Sequence, residues 1–450
     1  MTETVDVVVL GLGVGGEEVG GKLAEAGLTV VGIENRLVGG ECPYWGCVPS
    51  KMMIRAANLL TEARRVDGMA GHAEVSPDWA PVAERIRDEA TDNWNDQVAV
   101  DRFTGKGGIF VRGKGRLAGP GAVEVDGTRY EARRGVVLAT GTIAAVPPID
   151  GLADTPYWTN REAIEAKTLP ASMIVLGGGA IGVELAQAYA RFGTDVTVVE
   201  AAGRLIPQEE PESSELARAA LEADGISVHI DSRVTHVAHD GDGFVVSAGS
   251  ELRAERLLVA VGRRSDLRPL GVDTVGLDPK ASSVPVDEHL RVGEQLWAVG
   301  DVTGHGAFTH MAMYQAGVVI RDILGPDGPS ASYHAIPRVT FTDPEIGAVG
   351  LTEAQARDAG LNVAVGLAQV PSSARGWIHK AGNEGVIKLV ADTERGILVG
   401  ATSAGPTGGE VLSALAVAVH ARVPVDTLRH MIYAYPTFHR GIEDALRDLG

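Results

Sequence analysis

The two cysteines are the first residues of this chain whose type and spacing suggest chemistry. Cys42 and Cys47 are separated by the four residues Pro-Tyr-Trp-Gly. In a regular helix, residues five apart rise about 7.5 Å and lie on different faces, whereas a disulfide requires Cα atoms roughly 4.4–6.8 Å apart. Because proline and glycine can distort a helix, the segment is predicted to bring the two sulfurs together as a redox pair. On spacing alone, two inert buried thiols remain an alternative.

A helix is predicted to begin beside the second cysteine. Pro49 suits the first turn of a helix that runs through Leu60. The N-terminus of such a helix would favour the thiolate of Cys47, which is the reactive form. A zinc site is not expected, because neither another cysteine nor a nearby histidine completes a four-ligand set.

Two glycine fingerprints organise the first half of the chain. Each lies between a strand-like run and a helix-compatible segment, and the strand that follows ends at an acid, Glu34 or Glu200. The pattern recurs after 166 residues, with Gly11, Gly13 and Gly16 in the first copy and Gly177, Gly179 and Gly182 in the second. The glycines permit a tight turn, close approach of a pyrophosphate and close helix–strand packing, and the acid can accept hydrogen bonds from a ribose. Two unrelated glycine turns are the alternative, but the shared spacing predicts two dinucleotide sites.

Other strands are predicted to end at turns that can face a ligand. Residues 136–138 lead into Thr140 and Gly141, residues 257–261 lead into Gly262, and residues 296–299 lead into Asp301. Two prolines at 147–148 indicate a crossing between domains. From about residue 333 the sequence becomes strand-rich, and it then becomes helical around residues 409–421. This change indicates a separate C-terminal domain.

Composition and charge narrow the class of protein. The chain has 450 residues, of which 45% are hydrophobic and 22% charged, and this composition suits about three globular domains. The formal net charge of -19 argues against nucleic-acid or anionic-membrane partners, because both favour a basic surface. No apolar run approaches the ~20 residues of a membrane span, and the N-terminus lacks the basic start of a signal peptide. Since two cysteines are few for a secreted protein, a cytoplasmic location is expected.

The motifs also define a family resemblance. They are Gly-Gly-x-Cys-x4-Cys-Val-Pro-Ser-Lys at 39–51, Ala-Thr-Gly at 139–141, Gly-Gly-Gly-Ala-Ile-Gly-Val-Glu at 177–184, Ala-Val-Gly-Arg-Arg at 260–264, Val-Gly-Asp at 299–301 and Phe-Thr-Asp-Pro-Glu-Ile-Gly at 341–347. Over essentially its whole length the chain resembles the pyridine nucleotide–disulfide oxidoreductases, the family of dihydrolipoamide dehydrogenase, glutathione reductase and mercuric reductase. The resemblance implies an α/β fold with two Rossmann-like dinucleotide-binding domains plus an α+β C-terminal dimerisation domain. The expected division is an FAD-binding domain at 1–145 and 265–330, an NAD(P)-binding domain at 146–264 and a dimerisation domain at 331–450.

The resemblance also implies roles for the candidate residues. FAD would occupy the first fingerprint, with Glu34 on its ribose and Asp301 on its ribityl chain, and NAD(P)H the second. Cys47 would be the thiol that faces the flavin and Cys42 the thiol that exchanges with substrate, in a homodimer built through the C-terminal domain. Further cofactor contacts are expected from Thr140, Gly141, Gly262 and an ion pair of Lys51 with Glu184 near the flavin ring. Because Glu200 would repel a 2′-phosphate, NADH is expected rather than NADPH, although the nearby Arg204 leaves NADPH open.

The C-terminal motif departs from the family pattern. Family disulfide reductases end in His-Pro-Thr-x-x-Glu, whose histidine is the acid/base for thiol exchange. Here Tyr435 replaces the histidine and Arg440 replaces the glutamate. A phenol with a pKa of about 10 is a poor base at neutral pH, whereas an imidazole of about 6.5 is well matched. His439 could substitute if the loop is repositioned, and an interface histidine is the alternative. Mercury reduction is disfavoured, because the chain ends without the cysteine pair of mercuric reductases.

Three functional hypotheses follow. The first is an FAD-dependent NAD(P)H oxidoreductase that passes a hydride to FAD, then electrons to a Cys42–Cys47 disulfide and on to a small-molecule disulfide acceptor. The second replaces that acceptor by a non-disulfide such as a quinone. The third is a flavoprotein redox sensor without turnover, which is disfavoured because both nucleotide sites look complete.

Overall fold

The computed structural model describes residues 1–450. The strands are β1 Thr2–Leu10, β2 Val30–Glu34, β3 Ile109–Arg112, β4 Arg116–Leu117, β5 Ala122–Val125, β6 Thr128–Leu138, β7 Ile143–Ala144, β8 Ser172–Leu176, β9 Asp195–Val199, β10 Ser227–His229, β11 His236–His239, β12 Phe244–Ser247, β13 Glu251–Ala254, β14 Arg256–Val259, β15 Arg263–Arg264, β16 Arg291–Gly293, β17 Leu296–Ala298, β18 Pro337–Thr340, β19 Glu345–Gly350, β20 Val363–Gln369, β21 Val386–Asp392 and β22 Ile397–Gly405.

The helices are α1 Val14–Glu25, α2 Glu41–Tyr44, α3 Cys47–Arg64, α4 Ala80–Arg85, α5 Gln97–Gly105, α6 Asn160–Glu165, α7 Ala180–Arg191, α8 Pro211–Ala223, α9 Thr309–Leu324, α10 Glu353–Asp358, α11 Ala374–His379, α12 Gly408–His420, α13 Val425–Arg429 and α14 Gly441–Asp448. A π-helical turn, Ile86–Ala90, follows α4 directly. No helix is both long enough and apolar enough to cross a bilayer.

The first of two compact units comprises Met1–Ser50, Glu84–Ala145 and Arg263–Ser332. Its main sheet has the order β16-β17-β6-β1-β2-β3, and the strands from β17 to β3 pair in parallel. Both faces of this sheet are covered by buried aliphatic side chains, as expected for a parallel sheet between two layers. The order is that of a Rossmann-like domain, in which ligands bind at the carboxyl ends of the strands.

The predicted β–α–β start of this unit is confirmed. Val7, Val8 and Val9 of β1 are completely buried, and β1 pairs with β2 in parallel. The connecting helix α1 begins after Gly13. It ends before Gly27, whose φ of +87° is a left-handed conformation that glycine adopts without strain.

The second compact unit comprises Lys51–Ala83, Val146–Gly262 and Tyr333–Gly450. It contains a parallel sheet of order β10-β9-β8-β14 and a three-stranded antiparallel sheet of β11, β12 and β13. The second fingerprint therefore lies in a second Rossmann-like sheet, as predicted. Helix α3 runs through Leu60, as predicted, and continues to Arg64.

The C-terminal part of the second unit has a different architecture. Its five strands form an antiparallel sheet of order β18-β19-β22-β21-β20. Leu412 and Leu415 of α12 and Ile442 and Leu446 of α14 are buried in one core with β21 and β22. The predicted α+β fold of this region is confirmed, whereas the division into three domains stays a prediction.

Candidate active site

The two cysteines lie on either side of a break between two helices. Cys42 is on α2, which ends at Tyr44, and Cys47 begins α3. Trp45, with a φ of -138°, interrupts the helical path. A Cβ on Gly46 would lie 3.0 Å from the carbonyl oxygen of Glu41, so the tight turn favours glycine. The predicted distortion is therefore present, and it places Cys42 and Cys47 within hydrogen-bonding distance of each other.

A threonine distant in sequence completes the sulfur environment. The Cys47 Sγ and the Thr309 Oγ1 are 3.4 Å apart. The hydrogen bond with Cys47, followed by burial, raises the pKa of the Cys42 thiol, and the hydrogen bond with Thr309 opposes this shift. Cys42 therefore holds its proton firmly, and thiol exchange at this sulfur requires a group that removes it. Thr309 was missed by sequence reasoning, because 262 residues separate it from Cys47.

The two glycine fingerprints have matching backbone geometry. Gly11 and Gly177 adopt φ of +95° and +110°. A Cβ on Gly16 would lie 2.0 Å from the Gly11 oxygen, and one on Gly182 would lie 2.0 Å from the Gly177 oxygen. At the middle glycines, Gly13 and Gly179, a Cβ would meet nothing within 4 Å. The outer glycines are thus required by the fold, and the middle ones leave the open surface that a pyrophosphate needs.

The acids that follow the fingerprints are also equivalent. Each carboxylate accepts one backbone N–H from the second fingerprint residue and one from the residue two positions after the acid. The donors are Leu12 and Arg36 for Glu34, both at 2.8 Å, and Gly178 and Ala202 for Glu200, at 2.6 and 2.7 Å. Burial raises the pKa of Glu34. Since each carboxylate oxygen has two lone pairs, both acids can still accept hydrogen bonds from a ribose.

Arg204 is engaged with its own loop. Its Nη1 donates to the Glu209 carbonyl at 2.6 Å and to the Ser214 Oγ at 3.0 Å. Its Nη2 donates to the carbonyl of Pro207. With these partners the guanidinium holds the start of α8. The 2′-phosphate of NADPH would have to compete with them for the guanidinium.

Asp301 belongs to a small polar cluster at the end of β17. The Thr142 Oγ1 donates to the Asp301 Oδ2 at 2.7 Å, and Arg263 Nε donates to the Thr142 Oγ1 at 2.8 Å. Arg263 Nη1 lies 3.7 Å from the Glu41 Oε2. The arginine therefore offsets the negative charge of Glu41, which directly precedes Cys42 in the sequence. Three other residues were predicted to contact a cofactor from turns at strand ends: Thr140, Gly141 and Gly262. Both glycines have positive φ and open space at the position of a Cβ, and Thr140 directly precedes Gly141.

Lys51 and Glu184 form the expected ion pair. The Lys51 Nζ lies 2.7 Å from the Glu184 Oε2, and the Glu184 side chain is 7% exposed. The other carboxylate oxygen accepts the Phe341 N–H at 2.8 Å, and the Lys51 ammonium lies 4.5 Å from the centre of the Phe341 ring. Phe341, which sequence reasoning quoted only as part of a motif, therefore holds both members of the pair.

Tyr435 and His439, the two candidates to replace the family's acid/base histidine, have different environments. The Tyr435 side chain is 69% exposed, and the Arg440 guanidinium lies 5.5 Å from its ring. His439 is half-buried, with its ring 6.3 Å from that of Tyr433. Neither of these contacts is with a carboxylate, so neither residue is oriented by one as the family histidine is by its glutamate. No group of three or more His, Cys, Asp or Glu side chains could hold a metal ion.

Two Rossmann-like sheets that each carry a glycine fingerprint, with a pair of cysteines after the first, are the features of a known class of enzyme. Residues 5–316 match the family model described as pyridine nucleotide-disulphide oxidoreductase, and residues 336–446 match the dimerisation domain of that family. The chain belongs to the pyridine nucleotide–disulfide oxidoreductase family. It is an FAD-dependent NAD(P)H oxidoreductase that acts on a disulfide.

Curated relatives and solved structures match nearly the whole chain. A dihydrolipoyl dehydrogenase from Chlorobaculum tepidum is 34% identical over 98% of this chain and 96% of its own length. A mercuric reductase from Acidithiobacillus ferrooxidans is 33% identical over 98% of this chain and 82% of its own length. The copper(II) complex of the HOCl-induced flavoprotein disulfide reductase RclA from Escherichia coli superimposes with a TM-score of 0.87, at 25% identity and 99% coverage of both chains.

Proposed function

We propose that this enzyme takes electrons from NADH and delivers them through the Cys42–Cys47 pair to a small disulfide, in the manner of a dihydrolipoamide dehydrogenase. The observation that carries the proposal is the broken α2–α3 junction, which brings Cys42 and Cys47 into hydrogen-bonding distance. This spacing permits an S–S bond that a continuous helix would forbid. The substrate disulfide would form a mixed disulfide with Cys42, and Cys47 would then resolve it.

The residues of the two fingerprints fit the two cofactors. The open surfaces at Gly13 and Gly179 would each accept a pyrophosphate at a helix N-terminus, and Glu34 would hold the FAD ribose. When bound, FAD supplies the hydride acceptor that couples a two-electron donor to a disulfide. Lys51, fixed by Glu184 and Phe341, supplies a positive charge that would stabilise negative charge on the reduced ring.

The coenzyme proposed for the second site is NADH. Glu200 presents a carboxylate that would accept a bond from a ribose hydroxyl and repel a phosphate in the same place. Arg204 has three hydrogen bonds to its own loop, to two carbonyls and one hydroxyl. Its release would cost those bonds, so it does not offset the repulsion.

Proton transfer in thiol exchange differs from that of family members with a histidine. The pKa of Cys42 is raised, so its thiol must lose a proton before it can attack. Tyr435 stands in the position of the family histidine and is exposed, and phenols in general are poor bases at neutral pH. We infer that disulfide turnover rises with pH over a wider range than in an enzyme with an imidazole base.

Stopped-flow reduction of the FAD-loaded protein tests the proposal. NADH is expected to produce a long-wavelength charge-transfer band between thiolate and flavin within the first turnover. NADPH is expected to do so at least about tenfold more slowly, because of the Glu200 repulsion. Flavin reduction without this band would remove the dithiol from the electron path, and equal rates with both coenzymes would contradict the NADH assignment.

The middle glycines offer a matched pair of substitutions. Gly13→Ala and Gly179→Ala each place a methyl group in open space at φ of -65° and -76°, so both variants should fold normally. Gly13→Ala is expected to weaken FAD binding on the order of 10–100-fold, because the methyl group obstructs the pyrophosphate. Gly179→Ala should keep stoichiometric FAD but lose NADH affinity by a similar factor. Calorimetric titration of each variant with both ligands measures this, and the assignment is wrong if the two losses are exchanged or absent.

We propose a homodimer formed through the C-terminal domain. The residues beside α12 and α13 form an apolar groove of about 840 Å³. Val417, Met431 and Ile432, in or beside this groove, are 64%, 45% and 95% exposed, which is unusual for large apolar side chains in an isolated domain. The match to the family dimerisation domain covers this region. The low cysteine content supports a reducing cytoplasm as the location.

A further inference from the structure

A turn outside both fingerprints has an unusual backbone. Asp92, Asn93 and Trp94 have consecutive φ of +47°, +53° and +56°. L-residues avoid this region because Cβ approaches the following carbonyl, and a tryptophan in it is a genuine outlier. Such strain persists only where surrounding contacts maintain it, and it often occurs at functional sites. The contacts of this turn therefore indicate what it does.

One contact holds the end of the helix that carries Cys42. The Trp94 indole Nε1 donates to the carbonyl oxygen of Tyr44 at 3.2 Å. Tyr44 is the last residue of α2, and the final carbonyls of a helix have no partner within it. Trp94 thus supplies a donor that in a continuous helix would come from the backbone N–H of Val48.

A second contact holds the entrance to the same helix. The Asp96 Oδ2 accepts the Val38 N–H at 2.7 Å, and Val38 directly precedes the two glycines that lead into α2. Asp96 is 8% exposed and is itself held by Arg112 Nη2 at 2.6 Å. Residues 91–96, which we call the 91–96 turn, therefore contact both flanks of the segment that carries Cys42.

The 91–96 turn is also fixed from within. Thr91 is 1% exposed, and its Oγ1 accepts the Trp94 N–H at 3.3 Å while donating to the Arg87 carbonyl at 3.1 Å. The Asn93 N–H donates to the same carbonyl at 2.6 Å. These bonds keep the indole oriented, so the turn can act on α2 as a rigid element.

We propose that Trp94 is a positioning residue that sets the reduction potential of the Cys42–Cys47 pair. The proposal rests on the function proposed above. Pro49 prevents α2 and α3 from merging completely, because it has no N–H for the Trp45 carbonyl. If the Tyr44 carbonyl were released, however, it could accept the Val48 N–H, and this bond would move the cysteines toward the spacing of a regular helix, about 7.5 Å apart along the axis and on different faces, which favours the dithiol. By occupying that carbonyl, Trp94 opposes this movement and favours the disulfide.

Equilibration of the FAD-loaded full chain with dithiothreitol tests this inference. When the S–S bond forms, Cys42 and Cys47 lose two protons and two electrons, which reduce one molecule of oxidised dithiothreitol. Trp94→Phe removes the N–H and keeps an aromatic ring. It is expected to shift the equilibrium about fivefold toward the dithiol, which is roughly 20 mV because a tenfold change corresponds to about 30 mV. Differential alkylation followed by mass spectrometry gives the ratio without enzyme turnover.

Two control variants separate this role from general stability. Trp79→Phe removes an indole N–H that donates to the Ala166 carbonyl at 2.9 Å in the second compact unit. No shift of the dithiol–disulfide equilibrium is expected in this variant. Asn93→Gly relieves the strain and keeps the indole bond, so it should also leave the equilibrium unchanged. If Trp94→Phe alone is too unstable to purify, it is measured in the Asn93→Gly background.

The outcomes distinguish this inference from the proposed function. If the wild-type protein forms the disulfide but the dithiol-to-disulfide ratio of Trp94→Phe is within about 1.5-fold of the wild-type ratio, only the role of Trp94 is overturned. A shift in Trp79→Phe equal to that in Trp94→Phe would overturn the same role. A wild-type protein that forms no Cys42–Cys47 disulfide in oxidised dithiothreitol would overturn the proposed function as well.

Discussion

Cys42→Ser is expected to abolish disulfide reduction and to leave the reduction of FAD by NADH intact. A serine hydroxyl cannot form a mixed disulfide, so NADH-dependent turnover of lipoamide should fall at least about 1,000-fold. Cys42 has no part in either fingerprint, so FAD content and the rate of flavin reduction by NADH should change less than about twofold. Steady-state assays with lipoamide and ferricyanide, which takes electrons without a thiol, measure both halves on one preparation.

Cys47→Ser is the matched comparison for this result. It removes the sulfur that contacts Thr309 and would face the flavin, so the charge-transfer band should be lost while ferricyanide reduction continues. Retention of more than a tenth of wild-type lipoamide turnover in either variant would mean that electrons reach the acceptor by another route.

Lys388→Met is expected to destabilise the protein more than any surface substitution. The Lys388 side chain is 4% exposed, and its ammonium lies 3.0, 2.9 and 3.0 Å from Glu210, Glu212 and Glu353. Burial would lower the pKa of Lys388, but its hydrogen bonds to the three carboxylates outweigh that effect and raise it. Removal of the ammonium leaves the equally buried Glu210 without a counter-charge, which costs about 3–5 kcal/mol.

Chemical denaturation followed by circular dichroism measures the loss in Lys388→Met. Lys388→Arg, which keeps the positive charge, should lose less than half as much stability. Glu212→Gln should lose at most about 1 kcal/mol, because Glu212 is 34% exposed and solvent screens its charge. A change of less than about 1 kcal/mol in Lys388→Met would show that the cluster is not coupled to folding.

Local patterns predicted much of the fold. Both fingerprints were recognised from glycines, strand lengths and terminal acids, and these are properties of chain segments of about 30 residues. The structure places the same amide donors on Glu34 and Glu200, so the repeat extends to individual hydrogen bonds. The break between Cys42 and Cys47 was predicted for the same reason, because proline and glycine act on the backbone next to them.

Contacts between distant segments were not predictable in this way. Nothing in the residues around position 309 identifies Thr309 as the partner of a cysteine 262 positions earlier. The same is true of Trp94, whose left-handed backbone contradicts its local preference. Such a conformation is stable only when neighbouring elements supply the bonds that hold it.

The motifs of the amino-acid sequence were sufficient for the kind of enzyme and its cofactors, through their resemblance to a family, and for the break between the two cysteines, because backbone conformation near glycine and proline depends on immediate neighbours. Packing of separate segments was needed to place Thr309 beside the sulfurs, Phe341 beside Lys51 and the 91–96 turn beside α2. These contacts arise when the sheets bury their aliphatic faces and bring remote loops together. The energies of these contacts depend on distances between segments that are far apart in the sequence.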